Sequence, residues 1–101
     1  MSDKMQQYER MADIAKTIAH PLRMSIVLLL CQHKELTVSE LTEALGEKQT
    51  AISQHLNRMK LQGCLKAKRK GKFICYYLIN PHISEVINAI KKWRSKQLRE
   101  Q

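Results

Sequence analysis

Thr50, Ser53, Gln54 and Asn57 are short hydroxyls and amides, with Arg58 at their margin. They are interleaved with Ile52, Leu56 and Met59, whose i, i+4, i+7 spacing marks a helix with one apolar face. The polar set falls on the opposite face. Gln49 and Thr50 stand at the N-terminal end, just after Lys48. Such side chains make poor core but can reach base edges in a major groove, where Gln or Asn pairs with adenine and Arg with guanine. An outward polar face is also what any solvated helix carries, so the neighbouring segments decide its reading.

Directly downstream, Arg58, Lys60, Lys66, Lys68, Arg69, Lys70 and Lys72 form a cationic run with no acidic residue among them. Leu65-Lys66-Ala67-Lys68 alternates apolar and basic, the period of a strand with one wet face. Lys70-Gly71-Lys72 supplies a turn. Phe73-Ile74-Cys75-Tyr76-Tyr77-Leu78 is β-branched and aromatic and reads as the return strand. A cationic hairpin after such a helix can hold phosphates or enter a minor groove while the helix lies in the major groove.

The elements that must position these residues start upstream. Leu36-Thr37-Val38-Ser39-Glu40-Leu41 carries a capping box, with Thr37 as cap, Glu40 three residues on, and Leu36 and Leu41 as a hydrophobic staple. Gly46 ends that short helix, and a second runs from about Lys48 to Gln62, stopped by Gly63. A short helix, a tight turn and a longer helix are the parts of a helix-turn-helix. Leu22 to Leu30 is apolar on nearly every side, as a fully buried central helix should be, and Pro21 suits its first turn.

Both flanks are amphipathic. Met5, Tyr8, Met11, Ala12, Ala15, Ile18 and Ala19 recur at helical spacing, as do Ile83, Val86, Ile87, Ile90 and Trp93. A domain this small leaves little for two terminal helices to cover. The expectation is a two-fold dimer interface centred on Tyr8, Ile87, Ile90 and Trp93.

Composition agrees with a polyanion partner. The 101 residues carry a formal net charge of +9, with a pI near 9.8, a balance that attracts nucleic acid and steers association. The longest apolar run, Ile26 to Cys31, is too short for a bilayer. Ser2 to Gln7 is polar where a signal peptide would be apolar. Three cysteines give no disulfide framework, so a reducing cytoplasm is expected. The chain reads as one domain over 1–101. Terminal helices lie at about 3–19 and 81–100, the helix-turn-helix at about 37–62 and the wing at about 64–79. The fold class is mainly α with a small β-hairpin, in the order ααααββα.

At this point the chain resembles the ArsR family of bacterial winged-helix repressors over nearly its whole length. His20-Pro21-Leu22-Arg23 followed by Ile26-Val27-Leu28-Leu29-Leu30 is similar to the family's second helix, and Leu36 to Leu41 to its third. Gln49-Thr50-Ala51-Ile52-Ser53-Gln54-His55-Leu56 resembles its recognition helix, and Gly71-Lys72 through Tyr76-Tyr77-Leu78 its wing. The resemblance implies a homodimer that binds a palindromic operator on double-stranded DNA, represses, and leaves when an inducer binds. It places Lys48, Gln49, Thr50, Ser53, Gln54, His55, Arg58, Arg69, Lys70 and Lys72 at the DNA. Lys48 departs from the family, which often has a capping Ser there. A cation beside the positive end of a helix dipole is unfavourable unless a phosphate joins it.

The family's arsenic- and cadmium-type members carry third-helix thiolates where Thr37 and Ser39 stand here. Hydroxyls do not replace thiolates for soft metals. Its zinc-type members use an Asp-x-His pair and a His-x-x-Glu pair on the last helix. The corresponding residues here are Asn80-Pro81-His82, then Trp93 and Lys96. Neither metal site is expected, His82 reads as a surface or helix-start residue, and no cofactor is expected. Thiol sensors resembling the family pair a second-helix Cys with one on the last helix, which has none here. Cys31 reads as a small core residue, with a Cys31–His33 metal site as a minor alternative. Cys64 and Cys75 sit on opposite strands of the hairpin, so packing or a redox switch are their two readings. The inducer, small-molecule or redox, stays open.

No Gly-rich phosphate loop, carboxylate pair or Ser-His-Asp set suggests an enzyme. Ser53 and His55 diverge at i, i+2. The rival reading is a winged-helix module for protein–protein or RNA binding. Protein docking would call for exposed apolar residues on the second helix. RNA recognition would call for exposed aromatics, with Tyr76 and Tyr77 the candidates.

Overall fold

Local signals set most of the helix ends. Pro21 occupies the first helical position of α2 (Pro21–Gln32), and the His20 Nδ1 accepts the Leu22 N–H at 3.1 Å as its cap. α3 (Val38–Leu45) opens on the expected capping box. Thr37 Oγ1 accepts the Glu40 N–H at 3.1 Å, and Glu40 Oε1 accepts the Thr37 N–H at 2.9 Å. Gly46 closes α3 at φ 65°, a left-handed conformation that costs Gly nothing. α4 (Gln49–Leu61) follows two residues later, and its cap position, Lys48, makes no side-chain cap bond.

The computed structural model describes residues 3–100, so Ser2 of the polar N-terminal stretch and residues 1 and 101 of the expected domain lie outside it. α1 (Asp3–Ile18) and α2 meet at 93°. Arg23, 8% exposed, fixes this corner. Its Nε donates to the Thr17 carbonyl at 2.7 Å and its Nη2 to the Lys16 carbonyl at 3.1 Å. These are C-terminal carbonyls of α1, which lack partners within their own helix. The guanidinium supplies donors and a charge suited to that end of the dipole.

The hairpin forms as expected from β2 (Leu65–Lys70) and β3 (Phe73–Leu78), with Gly71 at φ 61° in the two-residue turn. A third strand was not anticipated. β1 (Leu36–Thr37) pairs antiparallel with β3, Leu36 opposite Tyr76 and Thr37 opposite Cys75, giving the order β1-β3-β2. The order is therefore ααβααββα, ending in α5 (Ile83–Glu100). Two residues are too few to show a period of their own. Their pairing is supplied from almost forty residues away.

α2 runs through the centre. Ile26 and Val27 of α2, Leu41 of α3, and Ile52, Leu56 and Met59 of α4 are fully buried, as the helical spacing required. Leu65 and Leu78 close the sheet over them. The expectation that Leu22 to Leu30 would be buried all round holds for one side only. Leu22, Met24, Leu28 and Leu29 pack on the core while remaining partly open. No single helix among the described residues is long and apolar enough to cross a membrane.

Candidate nucleic-acid interface

The α3–turn–α4 unit seats α4 by its apolar face, and this leaves the polar face free. Lys48, Gln49, Thr50, Gln54, Asn57 and Arg58 are exposed, and Ser53 is half-buried at the margin. The start of α4 has no side-chain cap, so its first-turn N–H groups and the positive end of the dipole are available to an anion. Lys48 stands beside that end and could hold the same anion.

His55 behaves differently from its neighbours. Its ring meets that of His20 at 4.4 Å between centroids, tilted by 43°, in the seam between α4 and the start of α2. Burial first, then the neighbouring His20, Arg23 and Arg58, push its pKa down. A neutral, half-buried ring in that seam seats α4 on α2. That position sets it apart from the exposed polar face, against the role expected for it at the DNA.

The wing presents its cations unequally. Arg69 Nε donates to the Gly71 carbonyl at 3.2 Å, stiffening the turn, and Lys72 Nζ lies 5.5 Å from the Phe73 ring centroid. Both remain exposed. Lys70, expected at the DNA, is instead paired with Glu35, which also takes Lys68 at 2.7 Å. The two ammonium groups, Lys68 foremost, hold the Glu35 carboxyl below the ordinary carboxylate range. Sequence reasoning missed Glu35. It lies over thirty residues from both lysines and in no periodic pattern, so only the sheet order brings the three together.

The strand register overturns the Cys64–Cys75 switch. Cys75 faces Lys68 and Leu65 faces Leu78, so Cys64 sits beyond the far end of the ladder from the turn. Lys68, the position opposite Cys75, lies four residue steps along the chain from Cys64, about 13 Å at the usual strand rise. A disulfide tolerates roughly 7 Å between Cα atoms. Cys75 is 7% exposed and packs in the sheet. Burial pushes the Cys64 thiol up, and the nearby Cys31 thiol adds to this, the opposite of what a reactive thiolate needs. Cys31 is also not core. It is exposed, with Sγ 4.0 Å from the Pro81 carbonyl oxygen.

On the terminal helices, Tyr8, Ile90 and Trp93 are exposed, at 57%, 42% and 63%. Ile87, placed with them from the sequence, is 2% exposed and belongs to the chain's own core. The first three turns of α5 carry two apolar rows. Ile83 and Ile87 face inward, while Val86, Ile90 and Trp93 face out. On α1, Met11 and Ile14 extend the outward surface. His82 is at the surface, with Nδ1 3.0 Å from Glu85 Oε1. No three His, Cys, Asp or Glu side chains gather into a metal-binding group among the described residues. Tyr76 and Tyr77 are both half-buried, which leaves neither as an open stacking platform.

Comparison with known proteins supplies context for this geometry. Residues 20–66, which span α2 to the start of β2, match the model of the family described as bacterial regulatory protein, arsR family. An uncharacterized HTH-type transcriptional regulator of Methanocaldococcus jannaschii is 33% identical over 86 residues, 85% of this chain and 97% of that protein. The transcriptional repressor PagR of Bacillus anthracis is 38% identical over 79 residues, 78% of this chain and 79% of PagR. The crystal structure of PagR superposes with a TM-score of 0.75 at 36% identity, covering 85% of this chain and 98% of that one. A homodimeric winged helix-turn-helix DNA-binding domain from Mycobacterium bovis shares the fold, with a TM-score of 0.81 at 24% identity. It covers 100% of this chain and 94% of that one.

Proposed function

The chain belongs to the ArsR family of bacterial regulatory proteins, and from that premise we propose that it represses transcription as a two-fold dimer on a palindromic operator. It is a DNA-binding transcriptional regulator and not an enzyme. The observation that carries the reading is the division of α4. Ile52, Leu56 and Met59 are fully buried while Gln49, Thr50, Gln54 and Arg58 stand free on the other side. In this reading those four, with Ser53, read or line the major groove. Lys48 and the first turn of α4 take a phosphate, and Arg69, Lys72 and, once released from Glu35, Lys70 hold the backbone or minor groove. His55 supports the seat of α4.

The dimer is read from Tyr8, Met11, Ile14, Val86, Ile90 and Trp93, large apolar side chains left open on two terminal helices. Two-fold symmetry would then repeat the recognition helix, and operator half-sites would lie about one helical turn apart or a multiple of it. A cytoplasmic site of action follows from a DNA target. The donor chemistry at Thr37, Ser39, Asn80, His82, Trp93 and Lys96 fits neither thiolate nor His/carboxylate metal sensing, so the inducer, if one acts, is a small molecule or oxidant of another kind.

The test is selection of bound duplexes from a random pool by the purified protein. Inverted repeats with half-sites spaced by whole helical turns are expected. Recovery of no consensus would sink the operator reading, and a single unrepeated half-site would sink the dimer.

A further inference from the structure

A single carboxylate spans the wing. Glu35 lies one residue before β1, at one edge of the sheet, while Lys68 and Lys70 lie on β2 at the other. Lys66, Lys68 and Lys70 share one face of the sheet, because they stand opposite Tyr77, Cys75 and Phe73 in register. Two of these three lysines reach across β3 to Glu35. Lys68 Nζ meets Oε2 at 2.7 Å and Lys70 Nζ meets Oε1, so each carboxylate oxygen takes one ammonium. Lys68 also lies 5.5 Å from the Tyr77 ring centroid. The Glu35 side chain is 20% exposed, whereas the two lysines are 49% and 56% exposed. The anion is sheltered and its cations are open to a competitor.

A phosphate diester offers lysine the same chemistry as this carboxylate, a singly charged group with two acceptor oxygens. We propose that Glu35 is an internal counter-anion that competes with DNA phosphate for Lys68 and Lys70 and so limits how tightly the wing holds any duplex. The inference rests on the reading that the wing meets DNA. Its consequence is selective. Phosphate contacts carry affinity without sequence information, so an internal competitor weakens binding to all duplexes alike and leaves base reading by α4 untouched. A regulator with a net charge of +9 otherwise faces strong attraction to every stretch of DNA.

The experiment measures affinity for a random-sequence duplex across a salt series. It compares wild type, Glu35→Gln, Lys68→Gln/Lys70→Gln, the triple variant and Lys72→Gln, each shown folded by circular dichroism. Glu35→Gln keeps the shape and removes the charge. It is expected to tighten binding about two- to thirtyfold, the range for losing two exposed ion pairs, and to steepen the slope of log K against log salt by about one to two. In the Lys68→Gln/Lys70→Gln background the same change should do nothing. Unchanged or weaker binding by Glu35→Gln would overturn the proposal. So would an equal gain in the background without the lysines, since that would report only net charge. If Lys72→Gln and Lys68→Gln/Lys70→Gln flatten the slope while Glu35→Gln has no effect, the competitor role alone fails. If none of these variants changes the slope, the wing does not meet DNA and both readings fall.

Discussion

Gln54 sits on the second turn of α4 with its amide exposed, flanked one turn back by Thr50 and one turn on by Asn57 and Arg58. An amide held this way can donate to and accept from one base edge at once. Gln54→Ala is expected to cost about 1–3 kcal/mol at its cognate base and to relax preference at that position only. Binding to a panel of single-base operator variants checks this, and an unchanged panel would remove Gln54 from the readout. The His20–His55 pair makes a second residue-scale prediction. His55 titrates below an ordinary histidine, so the unfolded chain binds its proton first as pH falls. The folded state keeps its full stability above about pH 6.5, the unfolded value, and loses part of it as pH drops through the depressed folded value. Thermal melting between pH 7.5 and pH 5.5 should show a smaller loss for His55→Gln than for wild type. Equal losses would mean the ring is not held neutral by its seam. That His55 adjoins the apolar face of α4 was legible from its place beside Leu56, although the resemblance placed it at the DNA. Its partner His20 was not, because thirty-five residues and a helix crossing separate them.

At the scale of elements, what was legible is what is local. The Thr37–Glu40 box, Pro21 at the head of α2, Gly46 and Gly63 after their helices, and the turn at Gly71 all act through neighbours within a few residues, and each appears where the sequence put it. What was hidden depends on distant pairing. β1 exists because β3 offers an open edge, the Cys64–Cys75 idea failed on register, and Glu35 finds its lysines only through the order β1-β3-β2. Apolar spacing on α5 showed a stripe but not its two rows, so Ile87 could not be separated from Ile90 and Trp93. Arg23 was noted as part of a motif, without its burial. Its role is now testable. Arg23→Met removes the guanidinium bonds to the Lys16 and Thr17 carbonyls at the α1–α2 corner, leaving Lys16 the Ala19 N–H, and a loss of about 2–4 kcal/mol is expected, from two charge-assisted bonds and the stranded Thr17 acceptor. Thr37→Ala should cost about 1 kcal/mol through the lost cap. Urea unfolding of both variants checks the order of the two effects. A smaller loss at Arg23 than at Thr37 would mean the corner is held by packing instead.

At the scale of the whole molecule, the chain leaves large apolar side chains open along α1 and α5 and carries a strong positive charge. The first calls for a covering partner and the second for a polyanion. In the proposed dimer a second copy would answer the first, covering Trp93, at 63% exposure, and Tyr8, at 57%. Trp93→Asp is expected to give a monomer by light scattering at micromolar concentration, with much weaker operator binding. A dimeric Trp93→Asp would move the interface elsewhere, and a monomeric wild type would remove it. The most direct measurement of the central claim is an anisotropy titration. Wild type is titrated against a selected operator and a scrambled duplex of equal length and composition, in the same salt. Affinity for the operator is expected to exceed that for the scramble by about a thousandfold or more, the usual span between specific and non-specific binding. Equal affinity for the two would contradict it, leaving a basic winged helix that holds DNA without reading it.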